Sequence, residues 1–229
     1  MSKKLRNLTL FSGMIFGFLS VYIGWFRKKN IRWGASQNEV SKPLPGDQLI
    51  SKTRLRSTRA ITINQTPDKI WPWLIQIGFQ RAGWYSYDTL EKLAGVAEFV
   101  DGHSAMRIIP ALQNIQPGDT IQAGPEPYIS FLVETLDEPS AFVLSSYLNP
   151  ISGLTLERGI KTQGPRAFGI WSFNIQPKNA HQSRLIVRFQ MDYEPGWLSL
   201  LMFPVLEPAV FIMEQKMLRG IKKRAENYS

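Results

Sequence analysis

The chain has no cysteine. That absence excludes disulfides, thiolate metal sites and thiol nucleophiles. Histidine is almost as scarce, with only His103 and His181, and their separation leaves a histidine-based metal site without support. No GxGxxG, P-loop, HExxH or GxSxG segment occurs, so the common nucleotide, metalloprotease and serine-hydrolase signatures are missing too. Acid is missing from residues 1–32, which carry Lys3, Lys4, Arg6, Arg27, Lys28, Lys29 and Arg32. The rest of the chain has 20 basic and 18 acidic residues, so most of the formal +9 belongs to the N-terminus. A basic face for nucleic acid is therefore not implied, and no nucleic-acid partner is expected. Nothing in the sequence calls for a cofactor.

What is present first is an uncharged run of 19 residues, Leu8 to Phe26. At about 1.5 Å per helical residue it spans roughly 28 Å, close to the hydrocarbon thickness of a bilayer. Tyr22, Trp25 and Phe26 sit near its end, where amphipathic rings favour the interface. Arg-Lys-Lys-Asn follows instead of a small-residue cleavage site, so the run reads as an uncleaved anchor within residues 1–29. Slightly more basic residues follow the span than precede it, which tips the domain toward the cytoplasmic side. Gly13 and Gly17 form a GxxxG on one helix face, a surface suited to a homodimer.

Residues 30–53 read as an extended connector, because Pro43, Pro45 and Gly46 break any helix and no apolar period appears. A folded domain is expected over 54–229. Residues 54–63 predict a strand. Thr66-Pro67-Asp68 opens a helix that carries Ile70, Trp73, Leu74 and Ile77 on one face. Asp88-Thr-Leu-Glu91 reads as a capping box for a second short helix ending at Gly95. Strands follow at 118–123, 128–137, 140–147, 166–176 and 183–193. The last of these sets Leu185, Val187, Phe189, Met191 and Tyr193 against Arg184, Arg188 and Asp192, which predicts a sheet with one wetter side. A long helix closes the chain, with Phe203, Leu206, Val210, Met213, Met217 and Ile221 at helical spacing and a regular course expected after Pro208.

Several segments carry a family resemblance: Trp33-Gly-Ala with Pro43-Leu-Pro-Gly-Asp47, Ile70-Trp-Pro-Trp-Leu-Ile-Gln-Ile-Gly78, Arg81-Ala-Gly-Trp-Tyr-Ser-Tyr-Asp88, Arg107-Ile-Ile-Pro110, and Glu207 to Ile221. Over residues 33–226 the chain resembles the START-like superfamily, also called SRPBCC, of polyketide cyclase/dehydrase and lipid-transport proteins. The resemblance implies an α+β helix-grip fold, a curved antiparallel sheet wrapped around a long C-terminal helix with a cavity between them. The transmembrane helix is not a usual part of that family branch and rests on this chain alone.

In such a fold, candidate ligand-binding residues are Trp84, Tyr85, Tyr87 and Asp88, then His103 and Arg107, then Arg166 and Trp171 on a strand facing the long helix, with Glu207 and Met213 on that helix. Hydroxyls and a guanidinium in an apolar pocket would orient a polar-headed hydrophobic ligand. The same groups also offer acid–base chemistry on a carbonyl compound. Bland readings stand beside these: Asp88 as a cap, Arg107 and Glu207 as an internal ion pair, and the tryptophans and methionines as core. The expected function is a membrane-anchored binding protein for a hydrophobic small molecule or lipid. The alternatives are a cyclase- or dehydratase-type enzyme and a cavity-less interaction domain.

Overall fold

Alternation of apolar and polar residues along long strands builds the framework of the computed structural model, which describes residues 22–93, 95, 98–159 and 163–227. A π-helical turn, Tyr22–Phe26, leads into α1 (Arg27–Asn30), and α2 follows at Gln37–Ser41. Then come β1 (Leu55–Ile63), α3 (Pro67–Ile75), α4 (Asp88–Leu93), β2 (Thr120–Gln122), β3 (Ser130–Asp137), β4 (Ala141–Leu148), β5 (Arg166–Asn179), β6 (Gln182–Glu194) and α5 (Leu198–Asn227). The strands make one antiparallel sheet in the order β1-β6-β5-β4-β3-β2. A six-stranded antiparallel sheet with a long C-terminal helix against its inner face fits the α+β helix-grip arrangement that the sequence implied.

Period-two alternation assigns the faces. Trp171, Phe173, Ile175, Leu185, Val187, Phe189, Met191 and Tyr193 point inward from β5 and β6. The inner core falls into two clusters. One joins Ile70, Trp71, Trp73 and Leu74 of α3 and Met217, Leu218 and Ile221 of α5 to Phe142, Leu144, Phe173 and Val187. The other joins Leu55, Leu148, Met191, Tyr193 and Leu198, with Met202, Phe203 and Leu206 packed on them. α3 begins at Pro67, the first-turn position proline favours. Its C-terminal end is closed by Arg81, which donates to the carbonyls of Ile75 and Ile77 at 2.8 and 3.0 Å.

Several expectations need correction. The segment expected as an extended connector is folded and packed. α2 is held by a capping box, with Ser36 Oγ accepting from Glu39 N and the Glu39 carboxylate accepting from Ser36 N. Leu44 and Ile50 are buried against the outer face of the sheet, with Ala60 and Ile186 and with Val143 and Ile170 respectively. Each such side chain contributes about 1.5–3 kcal/mol when fully buried. Carbonyls of Ile31 and Trp33 accept from Thr58 N and Ala60 N, which extends the ladder past β1 and covers its free edge.

The wetter side is also covered. Arg188 is buried beneath this strap, where all five of its N–H donors find partners. They reach Thr58 Oγ1, the carbonyls of Glu39, Val40 and Lys42, and the Asp47 carboxylate. Burial lowers its pKa from the ordinary arginine value.

α5 begins at Leu198, and the expected break before its regular part is a bend of 47° between the limbs Leu198–Pro204 and Leu206–Asn227. Pro208 has no N–H for the carbonyl of Pro204, four residues back, and its ring crowds that carbonyl, so the bend falls between them. Among the described residues no single helix is long and apolar enough to cross a membrane. The expected anchor lies outside the described residues except for Tyr22–Phe26, and the Gly13/Gly17 face lies wholly outside them. What is described of its end is docked on the domain. Tyr22 is buried, and Arg27 forms a two-pronged ion pair with Glu207 of α5 at 2.7 and 2.8 Å.

Candidate functional site

A cavity of about 370 Å³ lies where the two inner clusters meet, between α5 and the sheet. Its walls are almost wholly apolar. The sheet contributes Phe131, Leu148, Trp171, Phe189, Met191 and Tyr193. The helix contributes Met202, Leu206, Val210, Met213 and Met217, and Trp84 reaches in from the loop before α4. Methionines give this wall adaptable side chains. Trp84 and Trp171 stack at 5.7 Å between centroids, and Phe131 closes edge-on to Trp84 at 5.9 Å.

The polar groups in the wall are few. Glu214 is the only carboxylate in it, and both of its oxygens are occupied. Arg59 Nη1 donates to Oε1 at 2.9 Å and Trp171 Nε1 to Oε2 at 3.0 Å. Arg59 also donates to the carbonyl of Asn30 at 2.8 Å. Glu214 therefore fixes the Trp171 ring and, through Arg59, ties α1 to α5. Ser86 Oγ donates to the Met213 sulfur at 3.3 Å, and Tyr193 Oη to the Met191 sulfur at 3.4 Å. Burial, with Glu207 nearby, pushes the Tyr193 phenol well above its usual range. Such a cavity suits an apolar body with one or two weak polar contacts.

The rim is apolar and open to solvent. Trp197, Leu200 and Leu201, at the start of α5, are 59%, 67% and 62% exposed. Ile151 and Leu154, in the loop that supplies Pro150 and Gly153 to the cavity, are exposed as well. Trp25 and Phe26 add exposed rings at the N-terminal turn.

Of the residues singled out from sequence, the cavity collects Trp84, Trp171 and Met213. Tyr85 and Asp88 line a second, polar pocket, and the Tyr87 ring stands beside Lys216 of that pocket. Asp88 is not a capping-box residue. It opens α4, and its carboxylate accepts from Ser104 N and Oγ at 3.0 and 2.6 Å. His103 and Arg107 are exposed, and Arg107 pairs with Asp101 at 2.7 Å, so the expected Arg107–Glu207 pair does not form. Arg166 points away from α5, on the outer face, and pairs with Glu194. Glu207 lies inside α5, near the start of its C-terminal limb, and holds Arg27 instead of lining the cavity. The wall residues missed from sequence come chiefly from α5 and from β3, β4 and β6, whose inward positions were legible as helical spacing or alternation but not as cavity.

One further group was not anticipated. Glu91 of α4 is 1% exposed, and neither carboxylate oxygen has a hydrogen-bond partner among the described residues. Burial, and after it the Asp88 charge, pushes its pKa up to about 7.

No family model and no curated protein matches the chain. Solved structures do align with it. Norcoclaurine synthase from Thalictrum flavum, in complex with dopamine and hydroxybenzaldehyde, is 13% identical with a TM-score of 0.41, covering 82% of this chain and 96% of that one. A hypothetical protein from Helicobacter pylori is 8% identical with a TM-score of 0.43, covering 81% and 96%. An aromatase/cyclase from a Streptomyces species is 11% identical with a TM-score of 0.33, covering 75% and 93%. Similarity this low says nothing about ligand or activity, and the site has to be read from its own residues.

Proposed function

We propose that this protein is a START-like binding module, anchored in a membrane by Leu8–Phe26, that holds a hydrophobic small molecule or lipid between α5 and the sheet. The apolar cavity of about 370 Å³ carries this reading. It falls on the usual scale of small-molecule pockets, which weighs against the cavity-less interaction domain. Two features support a site next to a bilayer. Trp197, Leu200 and Leu201 lie close to the cavity-lining Met202 and present apolar surface outward, where a membrane would cover it. The end of the apolar N-terminal run packs on the same helix through Tyr22 and Arg27. The cyclase or dehydratase reading finds less support, because Glu214 is committed on both oxygens and the candidate acid His103 lies outside the cavity.

The test compares the full chain with a Val210→Trp variant that fills the cavity. Both are extracted with their surrounding membrane in polymer discs, and the bound apolar molecules are identified by mass spectrometry. A species enriched at least several-fold on the wild type is expected. Identical complements on the two proteins would end this reading.

A further inference from the structure

A second pocket of about 330 Å³ lies against the C-terminal limb of α5, lined by Tyr85, Ser86, Asp88, Ser104, Lys216, Arg219, Lys223 and Arg224 among others. Its electrostatics are one-sided. Lys216, Arg219 and Lys223 follow at spacings of three and four, which puts their charges on one helix face. None of the three forms an ion pair with a carboxylate among the described residues. Lys216 and Arg219 instead stand over the rings of Tyr87 and Trp33 at 5.4 Å each. The one carboxylate in the wall, Asp88, is already held by the Ser104 amide and hydroxyl. Arg224 adds a fourth cation. It is fixed 4.2 Å from the Tyr85 ring centroid and donates to the carbonyls of Ala105, Ser104 and Gly220.

Two structural explanations fall short. The helix dipole rewards cations in the last turn only, and there the sole basic residue is Arg224. Unrelieved like charges at spacings of three and four cost stability instead of adding to it. The floor is also rigidly built. Tyr85 takes φ of 55°, a left-handed conformation that costs energy outside glycine, and its hydroxyl accepts from Gln76 Nε2 at 2.6 Å. Ser86 and Ser104 line the same wall, with their hydroxyl protons directed to the Met213 sulfur and the Asp88 carboxylate.

We propose that this pocket binds the phosphate group of a phosphate monoester, either on a soluble molecule or on a lipid headgroup. Three cations on one helix face, none held by a carboxylate among the described residues, match a compact dianion with several acceptor oxygens. The site is separate from the apolar cavity, although Ser86 lines both, and it does not depend on that cavity being filled.

The test uses the full chain in phosphatidylcholine nanodiscs, with inorganic phosphate as the probe and ionic strength held constant with chloride. The amide of Gly220 and the side-chain Nε of Arg219 are followed by NMR. A saturable phosphate-specific shift is expected. Arg219→Gln and Lys223→Gln should each weaken it about tenfold, on the scale of one lost charge-assisted contact. The exposed Lys178→Gln should leave it unchanged. Thermal midpoints of the two pocket variants in phosphate-free buffer should not fall, which separates lost binding from lost folding. A response no larger than that to chloride, or pocket variants that bind like the wild type, would overturn the proposal. Adding phosphatidate to the discs identifies the source. Displacement of the phosphate response points to a lipid headgroup, and an unchanged response points to a soluble monoester; either supports the site.

Discussion

Arg59 and Glu214 meet at 2.9 Å with both side chains 1% exposed, one from the sheet edge and one from the middle of the terminal helix. Two charges removed from water to this degree hold together only while both are present. Removing one partner of such a pair costs about 3–5 kcal/mol, because the other is left buried and uncompensated. Glu214→Leu should therefore lower unfolding free energy by about that much in urea titrations. The double variant Arg59→Met/Glu214→Leu should cost clearly less than the two single changes together. Strict additivity would mean that the pair is not coupled in solution.

Glu91 gives the protein a pH signature. Its folded pKa of about 7 lies above the ordinary carboxylate value. The folded state thus holds a proton through a window where the unfolded chain has lost it. Stability contributed by this group is complete below about pH 4.5 and falls as pH rises toward 7. The loss is on the order of 3 kcal/mol across that window. Denaturation curves at pH 5 and pH 8 should show it, and Glu91→Gln should flatten the difference. A wild type with equal stability at both values would place the carboxyl in water.

Gly220 tests the packing of α5 on the floor of the polar pocket. Helix propensity alone favours alanine there by about 1 kcal/mol. A Cβ at this position would overlap the Tyr85 carbonyl oxygen and stand 2.8 Å from Tyr85 Cβ. Overpacking of this kind costs about 1–3 kcal/mol, so Gly220→Ala should destabilise despite the propensity gain. A raised midpoint would show that the helix and the Tyr85 turn can move apart freely.

The apolar rim should matter for membrane contact and not for folding. Trp197→Ser with Leu201→Ser removes two exposed side chains. Surface changes of this sort usually alter stability by less than about 0.5 kcal/mol. Hydrogen exchange of residues 197–201 in nanodiscs should nevertheless rise in the double variant compared with the wild type. Equal exchange in nanodiscs and in detergent-free buffer for the wild type would remove the rim from the bilayer surface.

Strands and helices were largely legible because their signals are local. Pro67 after Thr66 set the start of α3, and the alternation through Leu185, Val187 and Phe189 set the inner face of β6. Arg188 shows where such signals stop. Its position on the outer face was readable, but its burial depends on Leu44 and Asp47, which lie more than a hundred residues earlier in sequence. Asp88 followed the same rule: the short-range pattern offered a cap, and Ser104 took the carboxylate.

The sequence by itself determined the order of elements from β1 onward, the inward face of the long strands, the absence of thiol chemistry and the position of the apolar N-terminal run. Each of these follows from residue type or from spacing within a few positions. Only the tertiary structure decided which side chains share a space. It divided one expected site into an apolar cavity at Trp84, Trp171 and Met213 and a basic pocket beside Tyr85 and Asp88. It also showed that a near-neutral domain can gather Lys216, Arg219 and Lys223 in one place. Net charge averages over the surface, whereas a ligand responds to the local field, and that field depends on where distant segments pack.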